Sequence, residues 1–141
     1  MSSLAGSWTY RSFINDPDPV TTGDEALALI FGEGELEIVD AIPGGPFRAT
    51  LSFGANSIMD LAGTVGGNGG PEPLIIRANG RGRAGGPIAD YDYDYLFYSV
   101  PDWSDGVNQR RALVGSVLRA ADHGQAKKGM TASTLTVRRD S

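Results

Sequence analysis

The chain has 141 residues, enough for one domain with a sizeable core, and its 21% charged and 40% hydrophobic residues are an ordinary globular balance. A net charge of −5 disfavours nucleic acid as a partner, because phosphates need a basic surface. The absence of cysteine removes disulfides, thiolate catalysis and cysteine-held metals. Met1 to Gly6 has neither a basic start nor an apolar stretch, so no secretion signal is legible and a cytoplasmic protein is expected. No apolar run approaches the ~20 residues of a membrane-spanning helix. No linker or internal repeat divides residues 1–141, so a single domain is expected.

Taken in chain order, Ser7 to Phe13 predicts a first strand, with Trp8 and Tyr10 on one face and Thr9, Arg11 and Phe13 on the other. Asn15 to Asp24, acidic and carrying Pro17 and Pro19, predicts a loop. Ala26 to Phe31 is short and apolar and fits either a strand or one helical turn. Glu33 to Asp40 alternates, Leu36 and Ile38 against Glu33, Glu35, Glu37 and Val39, and the glutamates read as a solvated sheet face. After the turn Ile42 to Pro46, Phe47 to Phe53 alternates again. Further strands are predicted at Ile58 to Val65, Leu74 to Asn79 and Tyr91 to Val100, with glycine-rich loops before and after the second of them. Pro101 to Asn108 is a connection holding Trp103. Arg111 to Ala121 is long enough for a helix, but its valines and Gly115 favour a strand. A loop and a last strand, Thr131 to Arg139, complete the chain.

The 20 glycines, about twice the usual share of roughly 7%, fall in clusters between apolar runs, as a many-turned β-protein requires. Eight or nine short strands with short links predict an all-β antiparallel up-and-down barrel, whose closure removes exposed edges.

Few motifs carry chemistry. Gly80 to Gly85 fits G-x-G-x-x-G after a strand, but Gly86-Pro87 follows where a helix would have to open, which excludes a dinucleotide site. Gly66 to Gly70 lacks the Lys-Ser/Thr of a P-loop. His123, the single histidine, would have to serve any Ser-His-Asp triad, and a surface-loop residue without a role is the better reading. Asp92 and Asp94 share a strand face, where solvation explains them better than acid/base work. Asp60 and Arg77 interrupt apolar strands and would need partners if they pointed inward. Tyr91, Tyr93, Tyr95 and Phe97 lie together on one strand face, and tyrosines combine apolar area with an orienting hydroxyl. With Tyr10 from the Trp8 face, these residues are the candidate ligand-binding set. No metal ligands, catalytic residues or cofactor are assigned.

Gly6-Ser7-Trp8 resembles the G-x-W that opens lipocalins and the wider calycin group, including avidin-like barrels. Leu113 to Arg119 resembles the late lipocalin strand that carries an arginine. Asp90 to Tyr95 is similar to the lipocalin Thr-Asp-Tyr region, though no threonine precedes the aspartate. The resemblance implies a calycin-like barrel open at one end. It makes Trp8 a structural plug at the other end, beneath an arginine, with Arg119 first in line and Arg138 or Arg139 behind it. A fold resemblance carries no ligand with it. Three functions follow as expectations. The first is binding of a small, mostly apolar molecule inside the barrel. The second is a cofactor-independent isomerase or cyclase using the same cavity, so enzyme status stays open. The third is an assembly barrel whose tyrosine face points outward to pair subunits in a homo-oligomer. Neither nucleic acid nor membrane is expected as a partner.

Overall fold

Eight strands close on themselves in sequence order in the computed structural model, which describes residues 4–14, 21–54, 56–67, 73–100 and 111–139. The strands are β1 (Gly6–Ile14), β2 (Ile30–Ala41), β3 (Pro46–Ser52), β4 (Ile58–Gly66), β5 (Ile75–Gly82), β6 (Asp92–Ser99), β7 (Ala112–Arg119) and β8 (Thr131–Arg138). Every neighbouring pair is antiparallel, and β1 pairs with β8 to seal the wall. The protein is therefore an all-β, up-and-down closed barrel of eight strands. The proline-bearing stretch after Ile14, the middle of the glycine run after Gly67, and Trp103 with its connection lie outside the described residues.

The one ambiguous segment near the start divides between two elements. Gly23–Leu27 forms a single-turn helix, α1, while Ile30 and Phe31 open β2, so the segment adds no strand of its own and eight strands form among the described residues. Thr22 explains the helical choice. Its Oγ1 accepts a hydrogen bond from the Glu25 backbone N–H at 3.1 Å, and Glu25 in turn accepts one from the Thr21 hydroxyl at 2.8 Å. The Thr22 cap satisfies a backbone donor that a short helix otherwise leaves bare. No helix among the described residues is long and apolar enough to cross a membrane.

Alternation along each strand sorts side chains between core and surface. Trp8, Tyr10 and Ser12 of β1 are buried, as are Leu36 and Ile38 of β2, Phe47 and Leu51 of β3, and Tyr93, Tyr95 and Phe97 of β6. The β2 glutamates lie on the outer wall, where Glu33 meets Arg11 at 3.9 Å and Glu35 meets Arg139 at 2.7 Å. Asp60 is also outside. Arg83 binds it at 2.6 Å and holds its carboxyl below the ordinary pKa, so no interior ion pair with Arg77 exists. Arg77 is exposed on the same outer wall.

Glycine takes several inward positions where the wall curves. At Gly63 and Gly115 the neighbouring strand's backbone comes so close that a Cβ would collide with the carbonyl oxygens of Arg77 and Leu96 respectively. Strong coiling of this kind lets a sheet of eight strands close.

Candidate functional site

The barrel has two unlike ends. One is formed by the starts of β1, β3, β5 and β7, the other by their finishes. Trp8 belongs to the first end. It is fully buried, its Nε1–H donates to the Leu4 carbonyl at 2.9 Å, and the Arg138 guanidinium lies 5.4 Å from the ring centroid. Arg119 is therefore not the partner of Trp8. The register decides this: Trp8 sits opposite Arg138, whereas Arg119 sits opposite Tyr93 at the other end.

At that other end a cavity of about 300 Å³ opens between Tyr10, Ser12, Phe31, Gly32, Phe53, Ser57, Ile88, Tyr91, Tyr93, Tyr95, Arg119 and His123. β1 delivers Tyr10 and Ser12 on its inward face, and β6 delivers Tyr93 and Tyr95. Tyr91 stands just before β6, at the rim, and Ile88 comes from the turn ahead of it. Phe53 follows β3, and Arg119 ends β7.

The aromatic rings form a connected wall. Tyr10 meets Phe53 and Tyr95 edge-on, each at 6.1 Å between centroids. Tyr93 contacts Phe31 at 6.4 Å and Tyr91 at 5.8 Å. His123 stacks on Tyr91 at 3.8 Å with the planes 20° apart, and its Nε2 lies 3.1 Å from the Tyr93 hydroxyl. The loop carrying His123 is pinned by a two-way backbone bridge between His123 and Ala126. A histidine that reads as a bare loop residue is thus part of the cavity mouth.

Two phenols are set deep. Burial pushes the Tyr10 pKa up to about 12, with hydrogen bonding among Tyr10, Ser12 and Tyr95 pulling the other way. Burial raises Tyr95 well above the ordinary tyrosine value too, and its hydroxyl donates to Met59 Sδ at 3.3 Å. Desolvation disfavours the charged form, so both are neutral hydrogen-bonding groups rather than bases. Arg119 reaches between Phe31 and Tyr93, its guanidinium carbon 5.8 and 5.9 Å from their centroids. Its Nη1 donates to the Lys127 carbonyl at 3.1 Å.

Of the candidate ligand set, Tyr10, Tyr91, Tyr93 and Tyr95 line the cavity, while Phe97 lies beyond them, fully buried and 5.7 Å from Tyr95. Tyr93, Tyr95 and Phe97 point inward, so they cannot form an outward tyrosine face that pairs subunits. Asp92 and Asp94 sit on the outer wall, bridged by the Asn79 side-chain amide at 2.7 and 2.9 Å. Arg81 adds an ion pair to Asp92 at 3.2 Å, so both carboxylates are engaged on the outer wall, away from the cavity. Sequence reasoning missed Ser12, Phe31, Gly32, Phe53, Ser57, Ile88, His123 and the cavity position of Arg119. Ser12 and Phe53 carried a signal, since Ser12 shares the parity of Trp8 and Tyr10 and Phe53 that of Phe47 and Leu51. The others come from strand ends and loops, where alternation says little. No protein-family model, curated protein or solved structure matches this chain.

Proposed function

We propose that the barrel binds a small, mostly apolar molecule in the cavity opposite Trp8. The observation that carries this reading is the cavity's lining: aromatic rings form most of the wall, and a few hydroxyls converge among them. Its volume of about 300 Å³ falls at the small end of ligand sites, which start at roughly that size. Burial of apolar ligand surface at roughly 25 cal/mol per Å² supplies affinity without any catalytic group. The Gly6-Ser7-Trp8 opening, the eight-strand meander and an arginine over the tryptophan support a calycin-like relationship, in which one end is closed and the other receives ligand.

The test is a neutral fluorescent probe, 1-aminoanthracene, titrated into the protein. One saturable site with enhanced emission is expected. Gly32→Leu should block it with the fold intact by circular dichroism. A Cβ at Gly32 meets only Ser12 Oγ at 3.4 Å and Phe53 at 3.5 Å, so the larger side chain grows into the cavity without displacing backbone. Probe binding that is absent, or indifferent to Gly32→Leu, overturns the reading.

A second reading, a cofactor-independent isomerase or cyclase, is favoured by one feature. The Tyr93 hydroxyl and His123 Nε2, 3.1 Å apart at the cavity mouth, make a proton-transfer pair in reach of a bound molecule. Its signature is turnover of the bound molecule that His123→Gln abolishes while probe affinity is kept. Turnover unaffected by His123→Gln removes it.

A further inference from the structure

We infer that the molecule held in this cavity carries a single anionic group of the carboxylate class, received by Arg119. This rests on the cavity-binding reading above. Arg119 differs from the arginines of the outer wall. Arg11, Arg48, Arg81, Arg83 and Arg139 each have a carboxylate within 4.0 Å. Arg119 lines the cavity, and among the described residues no Asp or Glu lines it with Arg119. Its Nε is buried and has no hydrogen-bond partner among the described residues, while Nη1 is held by the Lys127 carbonyl.

A guanidinium carries five N–H donors in a rigid fork suited to a planar carboxylate. Here Phe31 and Tyr93 flank that fork and the Lys127 carbonyl anchors one arm, so the donor is pre-placed at little further ordering cost. Arg119 is half-buried at the cavity mouth with no carboxylate of the described residues lining the cavity beside it, and a ligand carboxylate supplies that partner. One guanidinium balances one negative charge, which favours a monoanion over a phosphate dianion. The volume, about 300 Å³, lies at the small end of ligand sites, so the apolar body is small. The ligand class is therefore a small ring-bearing or short-chain carboxylic acid.

The experiment compares 4-phenylbutyrate with its neutral isostere 4-phenylbutanamide by isothermal titration. The acid should bind tighter by roughly ten- to a hundredfold, the range of a charge-assisted hydrogen bond. Arg119→Gln should erase that preference, so that the acid and the amide bind the variant with equal affinity. In the unmutated protein, the Arg119 guanidinium proton resonances should move with the acid and stay in place with the amide, a readout that needs no variant to fold. Equal affinities, a preference that survives Arg119→Gln, or unmoved guanidinium resonances overturn the carboxylate inference while leaving the cavity reading in place. Binding of neither compound, together with failure of 1-aminoanthracene, overturns the cavity reading itself.

Discussion

Trp8 and Arg119 illustrate how position within a strand assigns a residue its task. Both belong to the pattern that suggested a plugged barrel end, yet they serve opposite ends. Trp8 is fully buried, hydrogen-bonded through its indole to Leu4 and covered by Arg138. Trp8→Ala should therefore cost about 3–5 kcal/mol, the usual range for truncating a buried tryptophan. Urea denaturation would measure the loss. Because the cavity lies at the other end, 1-aminoanthracene affinity should be unchanged under conditions where the variant is folded. A variant of normal stability with lost binding would reverse the assignment. His123 makes the same point for loops: the residue is unremarkable in Asp122-His123-Gly124, and acquires a setting only when β7 and β8 bring it onto Tyr91.

At the scale of elements, alternation carried most of the information. β2 and β6 bury the sets that their sequences propose, because a residue period of two cannot place both parities on one face. The glycines are harder to read, since an inward glycine leaves no apolar mark. Gly80 on β5 is the clearest case. A Cβ there would lie 2.6 Å from Met59 Sδ and 2.9 Å from the Tyr95 ring. The missing side chain makes room for the residues that form the cavity floor. Gly80→Val should destabilise by about 1–3 kcal/mol through overpacking and should weaken probe binding by displacing Tyr95. Thermal unfolding and the 1-aminoanthracene titration would show both effects together, and a variant with neither would mean that the floor can relax freely. The segment Ala26 to Phe31 was ambiguous because its apolar residues suit either element. The Thr22 cap decides it, a local interaction that competes with strand pairing.

For the whole molecule, closure of the barrel sets the electrostatic environment of the interior. Tyr10 is buried among the inward faces, and its pKa rises from 10.0 to about 12. In the unfolded chain a tyrosine ionises near 10. Between pH 10 and pH 12 the unfolded chain has released this proton and the folded chain retains it, so unfolding gains the advantage. The stability linked to Tyr10 is then complete below pH 10 and declines as pH climbs toward 12, by about 2–3 kcal/mol in total. Tyr95 shifts in the same direction for the same reason. Denaturant unfolding across pH 9 to 12 would show the slope, and Tyr10→Phe should remove its share. A flat profile in the unmutated protein would mean that water reaches these hydroxyls.

The amino-acid sequence by itself determined the class of structure and which residues of a strand share a face. Glycine punctuation and two-residue alternation are local properties, and a meander of short links has few ways to hide its edges other than closure. Tyr10, Tyr93 and Tyr95 were legible as interior candidates on those grounds alone. The tertiary structure decided what alternation cannot reach: which end of the barrel each residue occupies, and which residues distant in sequence meet there. The cross-strand register put Arg138, not Arg119, beside Trp8, and turned Arg119 toward the tyrosines. It also brought Phe31, Phe53, Ile88 and His123 from separate segments to one mouth. The physical reason is that register and closure are properties of strand pairs summed around the ring, and no single strand encodes where that sum places its ends.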